Sequence, residues 1–332
     1  MKKFQIFIVV ILVVLIGTLA WWYRYSSSEK FSSDKEPIKI GMVSWIGNGI
    51  FYVAEEKGLF KKEGVRVEFV PVDDFAAARQ LLQTGRVDAI YLTPETAAVL
   101  SDSGVKLRIV AAGDVSYGAD GMIATKDITT IEDLKGKNVA FETGSASHLL
   151  ISYLLNEKGL STNDVQVVES VAPDAGAAFV AGKVDAAVTW EPWLSKANER
   201  AGGHVLASSK DTPIIYDMPI FRAEVVDNRS DEVSAMLRAT FEVQQWIADN
   251  KDEAADIIAK PLKITPAEAL DQMQGVRWLS YEENVEKITS GNFSIKNSLQ
   301  TAGDLWLKLG LIKSKVNADE LIDDTILKNL YK

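Results

Sequence analysis

Residues 38–59 read IKIGMVSWIGNGIFYVAEEKGL, and residues 139–160 read VAFETGSASHLLISYLLNEKGL. Each stretch opens on an apolar run, Ile38 to Val43 in the first and Val139 to Glu142 in the second. Each passes through a loop of small residues, Trp45-Ile46-Gly47-Asn48-Gly49 or Thr143-Gly144-Ser145-Ala146-Ser147. Each then becomes a helix with the same ending, Glu56-Lys57-Gly58-Leu59 and Glu157-Lys158-Gly159-Leu160. A glycine at that place suits the left-handed turn that stops a helix. Outward from these stretches come alternating strands, Val65 to Phe69 and Val165 to Val168. An Ala-rich helix follows in each copy, and then Gly85-Arg86-Val87-Asp88-Ala89 or Gly182-Lys183-Val184-Asp185-Ala186. Strand–helix–strand–helix–strand, written twice, predicts an α/β protein of two lobes, each a mainly parallel sheet flanked by helices. Ligands of such sheets bind beyond the carboxyl ends of the strands. Asp88 and Asp185, repeated just before a strand, read as residues that fix a turn.

The boundaries follow from this repeat. Residues 38–120 form the first part of lobe 1, 121–215 form lobe 2, and 216–332 return to lobe 1 and continue into C-terminal helices. Leu107 to Ala112 reads as a buried strand, Gly113 to Gly121 as a loop, and Met122 to Thr125 as extended. The return lies at Thr212 to Pro219. Two such crossings make a hinge. From Ser230 onward the pattern is helical, with a capping box at Thr265-Pro266-Ala267-Glu268. Trp246, Trp278 and Trp306 are expected to pack these helices onto the first lobe.

Composition narrows the function. A formal charge of −10 opposes nucleic-acid binding, which needs a Lys/Arg excess. The absence of cysteine removes disulfides, thiolate nucleophiles and cysteine metal sites. His148 and His204 are the only imidazoles, and no nucleophile-elbow, P-loop or His-x-x-x-His pattern occurs. A binding protein without cofactor, metal or catalytic residue is therefore expected, with a monomeric binding domain. Lys2 and Lys3 precede an uncharged run from Phe4 to Tyr23. Residues 1–25 read as a signal peptide or a retained membrane anchor. Trp21-Trp22-Tyr23 tilts that choice toward the anchor. Either way the positive N-terminus places the rest of the chain outside, periplasmic or at the cell surface. Residues 26–37 read as a flexible tether.

The passage Trp-Ile-Gly-Asn-Gly-Ile-Phe-Tyr-Val-Ala with Lys-Gly-Leu-Phe, in Ile38 to Phe60, resembles the solute-binding proteins of the nitrate/sulfonate/taurine class of ABC importers. Gly118-Ala119-Asp120-Gly121 and Thr189-Trp190-Glu191-Pro192-Trp193 look like the same family. The likeness runs from Ile38 to Phe221 and thins in the C-terminal helices. It implies a two-lobed periplasmic-binding-protein fold, a ligand in the cleft, and delivery to a permease and its ATPase. The cysteine of a bacterial lipoprotein, one departure, is missing. Two rivals remain: a thiamine-pyrimidine-precursor binding protein or biosynthetic enzyme on the same fold, and a membrane-tethered sensor.

The candidate ligand-binding residues come from loops expected to meet in the cleft. The first lobe offers Trp45, Gly47 and Asn48, then Thr93 and Glu95. The second offers Thr143, Ser145, Ser147 and His148, then Trp190 and Glu191. The crossings add Asp114, Ser116, Asp120, Tyr216 and Asp217. The helix start at Gly144-Ser145-Ala146-Ser147 suits a polar ligand group or simply caps itself. Trp45 and Trp190 suit flat walls at matching strand ends. Glu191 is read either as a ligand acceptor or as a turn cap. These segments carry several acids and no Lys or Arg, which points away from an inorganic anion and toward a neutral, zwitterionic or nitrogen-bearing cationic solute.

Overall fold

Seven strands form one sheet and five form another, and both owe their centre to the repeated unit. The structure, a computed structural model, describes residues 36–288 and 294–332. The expected leader and most of the tether lie outside the described residues. In the first sheet, β1 (Ile38–Met42) pairs in parallel with β2 (Val67–Pro71) and β3 (Ala89–Leu92). In the second, β7 (Asn138–Phe141) pairs in parallel with β8 (Gln166–Glu169) and β9 (Ala186–Trp190). Ile38, Ile40, Val139 and Ala140 are wholly buried, as central strands covered on both faces require.

The repeated aspartates do the same work twice. Asp88 accepts the Lys39 backbone N–H at 2.9 Å, and Asp185 accepts that of Asn138 at 2.9 Å. Each carboxylate thus pins the start of its lobe's first strand. Gly58 and Gly159 take positive φ of 67° and 70°, the left-handed stop expected of them.

Two connections join the sheets, and their register shows where the sequence reading was too coarse. The run 107–112 is a strand only over β4 (Leu107–Ile109). The expected loop 113–121 holds β5 (Asp114–Ser116) and the start of β6 (Asp120–Ala124). Asp120, expected at the end of lobe 1's first part, therefore belongs to the second sheet, and Ile215, expected to close lobe 2, lies on the first sheet's side. The return strand, β11 (Tyr216–Arg222), extends to Arg222, and β10 (His204–Ser208) precedes it. β5 is a strand because β11 flanks it on one side and β12 (Val276–Trp278) on the other. β12 lies inside the region read as all helix, and three residues are too few to show a strand period. Ser209 ties the connections together. Its Oγ lies 2.7 Å from Ser116 Oγ and accepts the Gly118 N–H at 2.8 Å.

The helices Ser230–Asp249, Lys251–Leu262 and Ile295–Lys308 complete the fold. Thr265 and Glu268 form the capping box, with Thr265 N–H donating to Glu268 Oε2 at 2.8 Å. Trp246 and Trp278 meet the first lobe as expected, and Trp306 departs from expectation. Trp306 is fully buried but rests on His148 of the second lobe, ring centroids 4.9 Å apart. Trp246 is half-buried beneath Lys57, whose Nζ is 4.1 Å from the ring centre. Trp278 sits on β12 and donates to the Gly47 carbonyl at 2.8 Å. Among the described residues, no helix is long and apolar enough to cross a membrane.

Candidate functional site

The strand tips of both sheets point at one small cavity. From the first sheet's side come Val43, Trp45, Phe75, Thr93, Ile215 and Asp217. From the second come Asp120, Ala146 and Trp190. The two sides are related by register. Counting from the paired residues Ile40↔Ala89 and Val139↔Ala186, Thr93 and Trp190 occupy the same step past their strands. Asp120 lies opposite Trp190 in the antiparallel pair β6–β9. One step beyond Met218↔Leu92, Asp217 falls opposite Thr93 in the pair β11–β3. Each sheet therefore presents one tip residue and one aspartate from the neighbouring antiparallel strand.

Trp45 and Trp190 meet edge to face, with centroids 6.3 Å apart and planes at 75°. The same two indoles border an outer cleft of about 120 Å³ that also touches Glu191, Trp193 and Leu262. They stand between that cleft and the inner cavity. The inner space is about 20 Å³ for the centre of a water-sized sphere, enough for a small polar group in this closed arrangement.

Four buried carboxyl groups surround the space. Asp114 accepts the Tyr91 hydroxyl at 2.5 Å and lies against the Asp217 carboxyl group, the two sharing a side-chain hydrogen bond. Glu95 accepts from the Thr93 hydroxyl and, at 3.3 Å, from Thr96, while its Oε2 has no partner. Asp120 and Asp217 line the wall directly. Burial strips these groups of water and pushes Glu95, Asp114 and Asp120 up to about 7, only partly offset by hydrogen bonds. Asp217 is raised well above the carboxylate range, first by burial and then by the charges of Asp114, Asp120 and Glu95.

The loop after β1 is closed by contact rather than by capping. Asn48 Nδ2 donates to the Val43 carbonyl at 2.7 Å. A Cβ on Gly47 would fall 2.2 Å from Trp45 Nε1 and 2.3 Å from Asp114 Oδ2, so only glycine lets the indole and the carboxylate approach there. Trp45 Nε1 lies beside the Asp114 carboxyl group, outside strict hydrogen-bond geometry.

Several predicted residues have other work. Thr143 is exposed and donates through its N–H and hydroxyl to Glu169. Ser145 Oγ donates to the Glu142 carbonyl at 2.8 Å. Ser147 is buried with an unpartnered hydroxyl, away from the cavity lining. His148 Nδ1 accepts the Gly144 N–H at 3.1 Å, and its ring stacks between Phe141 and Trp306. Burial holds that imidazole neutral, down at about 4. Ser116 joins the crossings, and Tyr216, one residue before Asp217, faces the opposite side of β11. Glu191 accepts from Ser195 N–H at 3.1 Å and Ser195 Oγ at 3.0 Å, the turn-capping alternative, at the outer cleft.

The sequence reading missed Val43, Phe75, Ala146 and Ile215 on the wall and Tyr91 behind it. The segments expected around the site carry no Lys or Arg, and among the described residues none lines the cavity, but Arg79 lies behind it. From the helix Phe75–Gln83, Arg79 Nη1 donates to the Gly144 carbonyl at 2.7 Å, across from one lobe to the other. At the start of the same helix, Phe75 N–H donates to Glu142 Oε1 at 3.1 Å. Glu142 is pushed up to about 7, mainly by burial. Arg79 lies one turn inside a helix that looked like plain packing. Its apolar and small neighbours gave no signal.

Two α/β lobes, joined by paired crossings and closing strand tips over a shared cavity, define a two-lobed binding-protein fold. A model of the NMT1-like family matches residues 32–263, and the chain belongs to that family. It is 29% identical over 290 residues to a putative binding protein of Brucella abortus, covering 86% of this chain and 89% of that one. It is 25% identical over 326 residues to a putative aliphatic sulfonates-binding protein of Bacillus subtilis, covering 96% and 95%. Among solved structures, the periplasmic aliphatic sulphonate binding protein SsuA from Escherichia coli superposes with a TM-score of 0.72 at 20% identity, over 89% of this chain and all of that one. Each of these relatives is named as a binding protein.

Proposed function

We propose that this chain is the extracytoplasmic solute-binding component of an ABC importer, and that it captures a small organic solute bearing a sulfonate or a nitrogen group by closing its two lobes. The observation that carries this reading is the shared wall. Asp120, Ala146 and Trp190 belong to one lobe and Trp45, Thr93 and Asp217 to the other, so both lobes supply contacts. A solute touching both halves binds the closed state more tightly than the open one and shifts the population toward it. The closed form is then what the permease recognises. A relative named as an ABC transporter periplasmic binding protein supports import, and Lys2 and Lys3 before an uncharged apolar run support a place outside the cytoplasmic membrane.

Small-angle scattering and calorimetry test the reading together. A compound that binds should reduce the radius of gyration on saturation, and deletion of the gene should abolish its uptake. Binding without compaction removes the closure mechanism. Unimpaired uptake after deletion removes the import role and favours a sensor.

A further inference from the structure

We infer that the inner cavity receives the positively charged, N–H-bearing end of a small organic solute, an ammonium, amidinium or guanidinium group. This rests on the capture reading above and narrows it to one ligand class. Four carboxyl groups converge from four elements: Glu95 from the helix Pro94–Asp102, Asp114 from β5, Asp120 from β6 and Asp217 from β11. Asp120 and Asp217 form part of the wall, Asp114 stands behind it paired with Asp217, and Glu95 stands behind it with Oε2 unpartnered. Buried acceptors of this kind are nearly always satisfied in folded proteins, so the missing partner is a donor.

The basic group nearest these acids does not supply it. Arg79 feels the charge of Glu95, but its Nη1 is engaged by the Gly144 carbonyl. The rest of the wall suits an organic cation as well. Trp45, Trp190 and Phe75 present aromatic rings, whose faces attract positive charge. Among the described residues, no three acids or imidazoles are placed to hold a metal ion. A sulfonate or nitrate headgroup would need several donors and would face four acids. Trp45 Nε1, a nitrogen donor on the wall, lies beside the Asp114 carboxyl group. A cation placed between Asp120 and Asp217 instead bridges the two lobes, since those acids belong to different sheets. The same group is then both recognised and used to draw the halves together.

Thermal-shift and calorimetric titration of the full-length protein test this, at one pH and fixed ionic strength. The probes are propylamine, acetamidine and ethylguanidine as chlorides, against sodium propanesulfonate and sodium nitrate. At least one cation should raise Tm by about 5 °C near saturation. Asp120→Asn and Asp217→Asn should each weaken that cation at least tenfold while the variants still melt cooperatively. Should either variant fail to fold, Glu95→Gln takes its place with the same expectation. Stabilisation by propanesulfonate or nitrate and by none of the cations overturns the inference and leaves the capture reading standing. Cation binding that these variants do not weaken overturns it too. Silence from every probe of both signs counts against the capture reading and the inference together.

Discussion

Thr93 and Trp190 stand at the same step of the two repeated units, yet one is a small hydroxyl beside a buried acid and the other a large indole. Gly47 and Ala146 are a second such pair, eight residues past Lys39 and Asn138, the two residues whose N–H groups the aspartates hold. Where the units fix a strand or stop a helix, they agree: Asp88 with Asp185, Gly58 with Gly159. Where they face the cavity, they differ. A duplicated framework thus holds two unlike half-sites, each with an indole, and the first carries more of the buried acid while the second carries Asp120. The first sheet is also the more enclosed. Its helices wrap it on both sides, whereas β8 on the second sheet's edge is exposed along its whole length.

The largest expected effect tests the acids that link the two half-sites. Asp120 is pushed up to about 7, so the folded protein binds a proton there that the unfolded chain releases near 4. This contribution is present at low pH and is lost as pH rises from about 4 through 7, by as much as about 4 kcal/mol. His148 works in the opposite sense, since its lowered value removes stability as pH falls from about 6.5 toward 4. Asp120→Asn should therefore flatten the alkaline loss of ligand-free stability and leave the acid limb in place, read from urea unfolding between pH 5 and 8. Asp114, Asp217 and Glu95 share the cluster, with Tyr91 hydrogen-bonded to Asp114 and Arg79 beside Glu95, so some slope persists. An unaltered profile would show that Asp120 ionises as if exposed.

Next comes Gly47→Ala, which turns the first tip into a copy of the second. The new methyl meets Trp45 and Asp114, and the variant should lose about 2–3 kcal/mol. The reverse change, Ala146→Gly, should lose under about 1 kcal/mol, through helix entropy. Equal losses would mean the two tips are interchangeable. Trp190→Ala should weaken a bound solute by more than about 1 kcal/mol, and Trp45→Ala likewise, by calorimetry. If one weakens binding and the other does not, the site leans on a single lobe. The smallest effect belongs to Glu191→Gln. Its carboxylate serves Ser195, so affinity should change less than twofold. A larger loss would move the ligand into the outer cleft.

The parts of this architecture that the chain advertises are those built from repeated local chemistry. Apolar runs, helix-stopping glycines and the paired aspartates made both parallel cores readable. The capping box at Thr265 was readable for the same reason. Trp45, Thr93, Asp120, Trp190 and Asp217 could be guessed because they follow strands or crossings. What stayed hidden depends on distance along the chain. β12 becomes a strand only through β5, and Arg79 matters only because Gly144 lies opposite it. Phe75 looks like an ordinary helix start behind Asp74, which caps it by accepting the Ala77 N–H at 2.7 Å. No local pattern distinguishes such a helix from one that merely packs.

The seat of Trp306 on His148 carries one more consequence. The helix Ile295–Lys308 packs against Pro94–Asp102 of the first lobe, while the imidazole under its indole belongs to the second. Any swing of the lobes must slide that indole off the imidazole, exchanging a dry aromatic neighbour for solvent. In a variant whose other seven tryptophans are phenylalanine, the emission colour and quenching of this fluorophore should then follow the motion directly, a built-in optical gauge that needs no added label.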